Sequence, residues 1–308
     1  MNVYKNINEI AAVKKPVVTT GTFDGVHLGH RKIIARLIQI AEKTKGETVL
    51  LTFHPHPRLV LHPEETNMKM LNTLEERTEL LEKAGIQHLI IHPFTKEFAN
   101  ISSADFIKDI LAESLKTKKL VIGYNHHFGK NREGSFEHLK KFGPTYGFDV
   151  EEISAQDVDD IEISSTHIRN ALTAGDIKTA NKYLGYPYFI SGIVVDGKKL
   201  GRTLGYPTAN IEIGNKYKLI PSEGIYAVKV EHEKKEYKGM MSIGQNPTVN
   251  GTKQTIEVNI FDFNKEIYGE TLRICFFEKL RDEVKFDSLN TLKEQLALDK
   301  TDTLKVLK

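Results

Sequence analysis

One cysteine, Cys275, is all the sequence holds. It excludes an internal disulfide and, standing alone, cannot build a thiolate zinc site. An excess of either charge is also missing: 43 Lys plus Arg face 41 Asp plus Glu, a net charge of +2, so nothing calls for a nucleic-acid polyanion. No apolar run approaches the ~18–20 residues that a membrane span needs. The opening Met1-Asn2-Val3-Tyr4-Lys5 is polar and lacks the hydrophobic stretch of a secretory signal. Internal repeats and low-complexity tracts are likewise absent. These absences lead to the expectation of a cytoplasmic protein in a reducing compartment, with no nucleic-acid or membrane partner. What is present is 308 residues, 40% apolar, enough for about two domains with cores of their own.

The first 184 residues alternate short β-branched runs with segments of helical period. Strands are expected at 17–20, 49–53, 88–91, 120–123 and 150–153, and helices at 31–45, 74–84, 102–115 and 135–142. On the first helix Ile33, Ile34, Leu37, Ile40 and Ala41 share a face. Such an order predicts an α/β domain with a doubly wound parallel sheet. From 185 to 308 the pattern changes. Strand-like runs at 189–195, 225–230, 237–243, 255–261 and 272–277 are separated by Asp196-Gly197, Asn246-Pro247 and Asn250-Gly251. They predict a small antiparallel β-barrel with a terminal helix at 288–298.

Chemistry concentrates where the first strand meets the first helix, in Gly21-Thr22-Phe23-Asp24-Gly25-Val26-His27-Leu28-Gly29-His30. Ligands bind doubly wound sheets at such strand ends, and a helix start offers free N–H groups to phosphate. His27 and His30, three apart, fall on one face of the opening turn. Two imidazoles there can donate hydrogen bonds to a polyphosphate as charge grows on leaving pyrophosphate. Surface histidines in a glycine-rich turn, or half a metal site, are the plainer alternatives. The whole string resembles the signature of the nucleotidylyltransferase superfamily in the form used by bacterial FAD synthetases.

Further segments extend the resemblance. Thr52-Phe53-His54-Pro55-His56-Pro57 is similar to the motif after the second strand; alone, His54 and His56 suggest a metal, but two prolines favour a rigid loop. Gly123-Tyr124-Asn125-His126-His127-Phe128-Gly129 is similar to the nucleotide loop, where His126 and His127 replace a more usual aromatic and arginine. Ser164-Ser165-Thr166-His167-Ile168-Arg169 reads by itself as a capping signal. It resembles the family's S-S-T-x-I-R motif, with His167 where arginine is frequent.

In the second half, Gly192 to Lys199 approximates P-loop spacing, but Lys199 brings no hydroxyl for magnesium and residues 193–195 read as a strand. The string from Gly197 through Gly201-Arg202 to Pro207-Thr208-Ala209-Asn210 resembles the riboflavin kinase signature ending in P-T-A-N. Ile243 to Val249 resembles its G-x-x-P-T loop. In 256–261 the residues Ile256, Val258 and Ile260 share one strand face, which turns Glu257 to the other. The segment 280–286 is similar to the family's late segment near the flavin.

The resemblance, to bacterial bifunctional FAD synthetases, runs from residue 17 to 299. It implies phosphorylation of riboflavin to FMN with ATP, then adenylylation of FMN to FAD with release of pyrophosphate. It implies that Glu257, His27 and His30 are catalytic. Gly21, Phe23, Asp24, Gly29, Asn125, Ser165, Thr166, Arg169, Gly197, Gly201, Arg202 and Arg281 would then contact nucleotide or flavin. Thr208 and Asn210 would organise Mg²⁺ with ATP. The departures at His126, His127 and His167 motivate one alternative, a riboflavin kinase with a degenerate first domain; a non-catalytic flavin sensor is a second. A first domain acting on another phosphate ester is a third. Oligomeric state stays open.

Overall fold

The computed structural model describes residues 1–64, 68–124, 126–153, 163–197, 200–248 and 251–308. By packing, the chain divides into two compact units, Met1–Ser164 and Ser165–Lys308. The change of sequence pattern at 184/185 falls two helices beyond that division.

The first unit holds strands β1 (Asn2–Tyr4), β2 (Val17–Thr20), β3 (Thr48–His54), β4 (His88–Pro93), β5 (Lys119–Gly123) and β6 (Asp149–Ile153). Its helices are α1 (Leu28–Thr44), α2 (Pro57–Leu61), α3 (Leu74–Lys83), α4 (Lys96–Ala99), α5 (Ser103–Asp105) and α6 (Phe136–Phe142). Every strand pairing is parallel, in the order β1-β4-β3-β2-β5-β6. All four residues of β2 and the first five of β3 are buried, as expected of a sheet covered on both faces. The chain winds outward from β2 to β3 and β4, then returns to place β5 on the other side of β2. That reversal opens a crevice at the C-terminal ends of β2 and β5.

Sequence expectations and structure agree on every strand named above except β1. A three-residue edge strand, pairing Asn2 with His88 and Tyr4 with Ile90, is too short to show a period. The helix α1 starts three residues before the expected position 31, because His27 caps it. Its buried stripe is Ile34, Leu37, Ile40 and Ala41. The segment expected as one α-helix at 102–115 is instead α5 followed by a π-helical stretch, Phe106–Ser114. Leu115 N–H donates to the Ile110 carbonyl at 2.9 Å, the wider i→i−5 pattern, and Phe106, Ile107 and Leu111 reach the core.

The second unit opens with α7 (Ser165–Ala174) and α8 (Ile177–Leu184) and continues with β7 (Phe189–Val195), α9 (Leu200–Thr203), β8 (Ala209–Glu212), β9 (Gly224–His232), β10 (Lys235–Thr248), β11 (Gly251–Ile260), β12 (Thr271–Arg281) and α10 (Leu289–Val306). The strands close an antiparallel barrel, β10-β11-β8-β7-β12-β9. Tyr188, Tyr226, Val258, Ile274 and Phe276 are fully buried in it. Three elements of this unit are not evident from the sequence pattern: α8, α9, and β8, in which Ala209 and Asn210 of the P-T-A-N string open a strand.

Candidate active sites

In the first unit the loop after β2 is held under tension. Phe23 (φ 48°), Gly25 (φ 89°) and Val26 (φ 38°) all adopt left-handed backbone, costly for a β-branched residue. Burial compensates: Phe23 is 3% exposed and Val26 0%. The strained loop aims His27 at the start of α1, where its Nδ1 accepts from the His30 backbone N–H at 3.4 Å. An accepting Nδ1 puts the proton of a neutral ring on Nε2, making that nitrogen a donor. The His27 and His30 rings stack with centroids 3.6 Å apart, and Phe23 packs on His30 at 4.8 Å. His30 Nδ1 is enclosed and, among the described residues, has no hydrogen-bond partner. Burial, then the His27 and Arg77 charges, hold the His30 pKa well below the ordinary imidazole range.

Neighbouring loops converge on the same crevice. Thr20 Oγ1, at the end of β2, lies 3.1 Å from His126 Nε2 in the loop after β5. Burial pushes the His126 pKa down to about 4, helped by His127 and Arg132, and its ring stacks on Phe128. His56 caps α2, its Nδ1 accepting from Arg58 N–H at 3.2 Å. Cap and prolines account for the rigid-loop pattern of that segment. Asn125, expected at the nucleotide, lies outside the described residues, as do Lys198 and Lys199.

Two expected ligand residues are committed to the protein itself. Asp24, 2% exposed, accepts from the Leu71 and Asn72 backbone N–H groups at 3.1–3.2 Å. It thereby ties the first loop to the segment entering α3. Arg281 makes a bidentate pair with buried Asp299 of α10, at 2.8 and 2.6 Å. Its planar fork is filled by that carboxylate, so it anchors the terminal helix to the barrel.

In the barrel, antiparallel register places Asn210 of β8 directly opposite Glu257 of β11, so both side chains rise from one face. Thr208 Oγ1 donates to Glu257 Oε2 at 3.0 Å, and Asn259 Nδ2 holds the Pro207 carbonyl at 2.6 Å. Ile256, Val258 and Ile260 are buried on the opposite face, as the alternation predicts. Two glycines are required by close approach. A Cβ on Gly197 would stand 2.0 Å from Asn210 Nδ2, and one on Gly201 would stand 2.2 Å from the Tyr206 carbonyl oxygen. Beside Thr208 lies a small open cleft of about 80 Å³ whose lining includes Val194, Pro207, Val258 and Phe263 together with the charged Arg202, Lys265 and Glu266. Exposed Arg202 stands 3.9 Å from Glu266.

Sequence reasoning missed two charged groups. Glu283 lays its carboxylate on Gly244, and burial, then Glu223, raises its pKa. Arg77 is 6% exposed on the face of α3 that carries Leu80 and Leu81. A charge at an apolar-face position was the available signal. Ser165, Thr166 and Arg169 lie on the first turns of α7, in the second unit.

A parallel-sheet unit with a histidine-bearing helix start, and a barrel that pairs Thr and Asn with a glutamate, define a two-site nucleotide-using transferase. Comparison with known proteins agrees. A family model described as FAD synthetase matches residues 9–167, and one described as riboflavin kinase matches 184–307. The bifunctional riboflavin kinase/FMN adenylyltransferase of Bacillus subtilis is 38% identical over 94% of this chain and 92% of its own. That of Listeria monocytogenes is 40% identical over 93% and 91%. A crystal structure from Streptococcus pneumoniae, described as a macrolide-efflux protein, matches with TM-score 0.89 and 34% identity over 98% of this chain and 97% of that one. Among the described residues here, no helix is long and apolar enough to cross a membrane. The chain belongs to the bifunctional riboflavin kinase/FMN adenylyltransferase family.

Proposed function

We propose that this chain makes FAD from riboflavin in two ATP-dependent steps, one in each unit. The observation that carries the kinase step is the Thr208–Glu257 hydrogen bond, with Asn210 opposite Glu257. Glu257 takes the proton of the ribityl 5′-hydroxyl, whose oxygen attacks the γ-phosphorus of ATP as ADP leaves. The cleft beside Thr208 joins apolar side chains to Arg202 and Lys265, cations suited to phosphate charge. Thr208 and Asn210 offer hard oxygens, a donor set suited to Mg²⁺, and Gly197 leaves the space in which the Asn210 amide sits. Bound there, Mg²⁺ would neutralise phosphate charge; positioning is the work of the side chains.

In the first unit, an FMN phosphate oxygen attacks the α-phosphorus of a second ATP. The bond to the β-phosphate breaks, pyrophosphate leaves, and no enzyme-bound intermediate forms. His27, through its Nε2–H, and His30 stabilise the departing charge beside the α1 N-terminus. Gly21, Phe23 and Gly29 shape that cradle, while Asp24 acts by fixing its loop. The role of Ser165, Thr166 and Arg169 as phosphate ligands rests on the S-S-T-x-I-R resemblance. Dependence on ATP is the ground for proposing a cytoplasmic location.

Incubation with riboflavin, ATP and Mg²⁺, followed by chromatography of the flavins, tests the proposal. FMN appears first and FAD follows. FMN without FAD would leave only the kinase, and absence of both would remove the reading altogether.

A further inference from the structure

Arg77 occupies an expensive place. Its guanidinium is 6% exposed, and it sits in the first turns of α3, near the positive end of the helix dipole. A buried charge at such a position is destabilising unless its donors are filled. Two main-chain carbonyls accept from it: Nη1 donates to Thr22 O at 2.6 Å and Nη2 to Phe53 O at 3.4 Å. Thr22 belongs to the loop after β2 and Phe53 to the C-terminal end of β3, so one side chain ties a loop of the crevice to a strand end beside it. Thr52 Oγ1 donates to the same Thr22 carbonyl at 3.3 Å. Asp24 completes the lattice by accepting from Leu71 and Asn72, just ahead of the α3 cap.

The charge matters as well as the span. The titratable and charged groups facing His30 are His27 across the stacked rings and Arg77 from α3. Asp24 and Glu75 act in turn on Arg77, and burial, then Arg77, depresses the His54 pKa. A guanidinium keeps its charge throughout the working pH range, whereas His30 is held neutral. The positive field under the crevice therefore does not depend on protonating an imidazole.

We infer that Arg77 is a positioning residue for adenylyl transfer: it pins the Thr22 and Phe53 carbonyls and keeps a permanent positive charge near His30. This rests on the FMN adenylyltransferase reading of the first unit. An apolar side chain at 77 would fill the volume with less desolvation, but would supply neither the span nor the charge.

The test compares wild type, Arg77→Met and Arg77→Lys in the full chain, with FMN and Mg·ATP for adenylylation and riboflavin for phosphorylation. Wild type that forms no FAD from FMN would defeat the underlying reading, independently of the variants. In Arg77→Met, kcat/KM for FAD formation falls about 10- to 100-fold, while riboflavin phosphorylation stays within about twofold. Removing the charge lets His30 protonate more readily, so the inflection that His30 gives the adenylylation pH profile moves to higher pH. Arg77→Lys keeps the charge and loses the fork: its inflection stays at the wild-type position while KM for ATP rises. An Arg77→Met profile that falls in amplitude without shifting overturns the charge role, as does full activity. Should Arg77→Met not fold, Arg77→Lys decides, because wild-type KM and kcat in that variant overturn the positioning role.

Discussion

Gly197 shows how a single atom governs the kinase site. The Asn210 amide occupies the space where a side chain at 197 would begin. Gly197→Ala is therefore expected to displace Asn210 and lower kcat/KM for riboflavin phosphorylation about 100-fold. Adenylylation of supplied FMN should be unaffected; initial rates with each flavin check both halves of that statement. His126 is the counterpart in the first unit. Its pKa falls from 6.5 in the unfolded chain to about 4 in the fold. Above pH 6.5 both states hold it neutral and it contributes no pH dependence. As pH drops from 6.5 toward 4 the unfolded chain binds the proton and the fold does not, so stability declines, on the order of 1–3 kcal/mol, and levels off below 4. Urea unfolding at pH 7.5, 6 and 5 should show a steeper loss in wild type than in His126→Phe. Parallel curves would show that the buried ring does not carry this linkage.

At the scale of elements, α3 is less a structural brace than the back wall of the crevice. Thr73 caps it in a reciprocal box with Glu76: Thr73 Oγ1 accepts from Glu76 N–H at 3.2 Å and Glu76 Oε2 accepts from Thr73 N–H at 3.0 Å. The cap fixes the segment whose Leu71 and Asn72 amides hold Asp24 and whose Arg77 holds Thr22. Thr73→Ala is expected to cost about 1 kcal/mol of stability, read as a lowered urea midpoint. Because the same segment positions the loop after β2, adenylylation should fall in that variant more than phosphorylation does. Equal loss of the two activities would place the effect in general stability rather than in the loop. In the barrel, the pairing of β8 with β11 performs the analogous service, setting Asn210 opposite Glu257 through main-chain register.

For the molecule as a whole, two sites in two compact units predict a crossed pattern of loss. Glu257→Gln abolishes FMN formation from riboflavin yet leaves FMN-to-FAD conversion near wild type. His30→Ala preserves FMN formation and slows FAD formation, by about 100-fold on the scale of a lost transition-state donor. Product analysis with riboflavin and then FMN as sole flavin measures all four rates. Loss of both activities in either variant would point to one shared site.

Sequence alone determined the class of fold and the candidate chemistry. Periodicity is local, so the βα alternation of the first half and the strand runs of the second were legible without coordinates, as were the histidine-bearing helix start, the P-T-A-N string and the outward face of Glu257. What tertiary structure decided is which groups are available. Asp24 and Arg281 carry the same side chains in either view, but only the fold shows their oxygens and nitrogens filled by Leu71, Asn72 and Asp299. The Thr208–Glu257 bond and the span of Arg77 join residues 49 and 24–55 positions apart in the chain. Hydrogen bonding depends on distances of about 3 Å in space, and no local pattern encodes those.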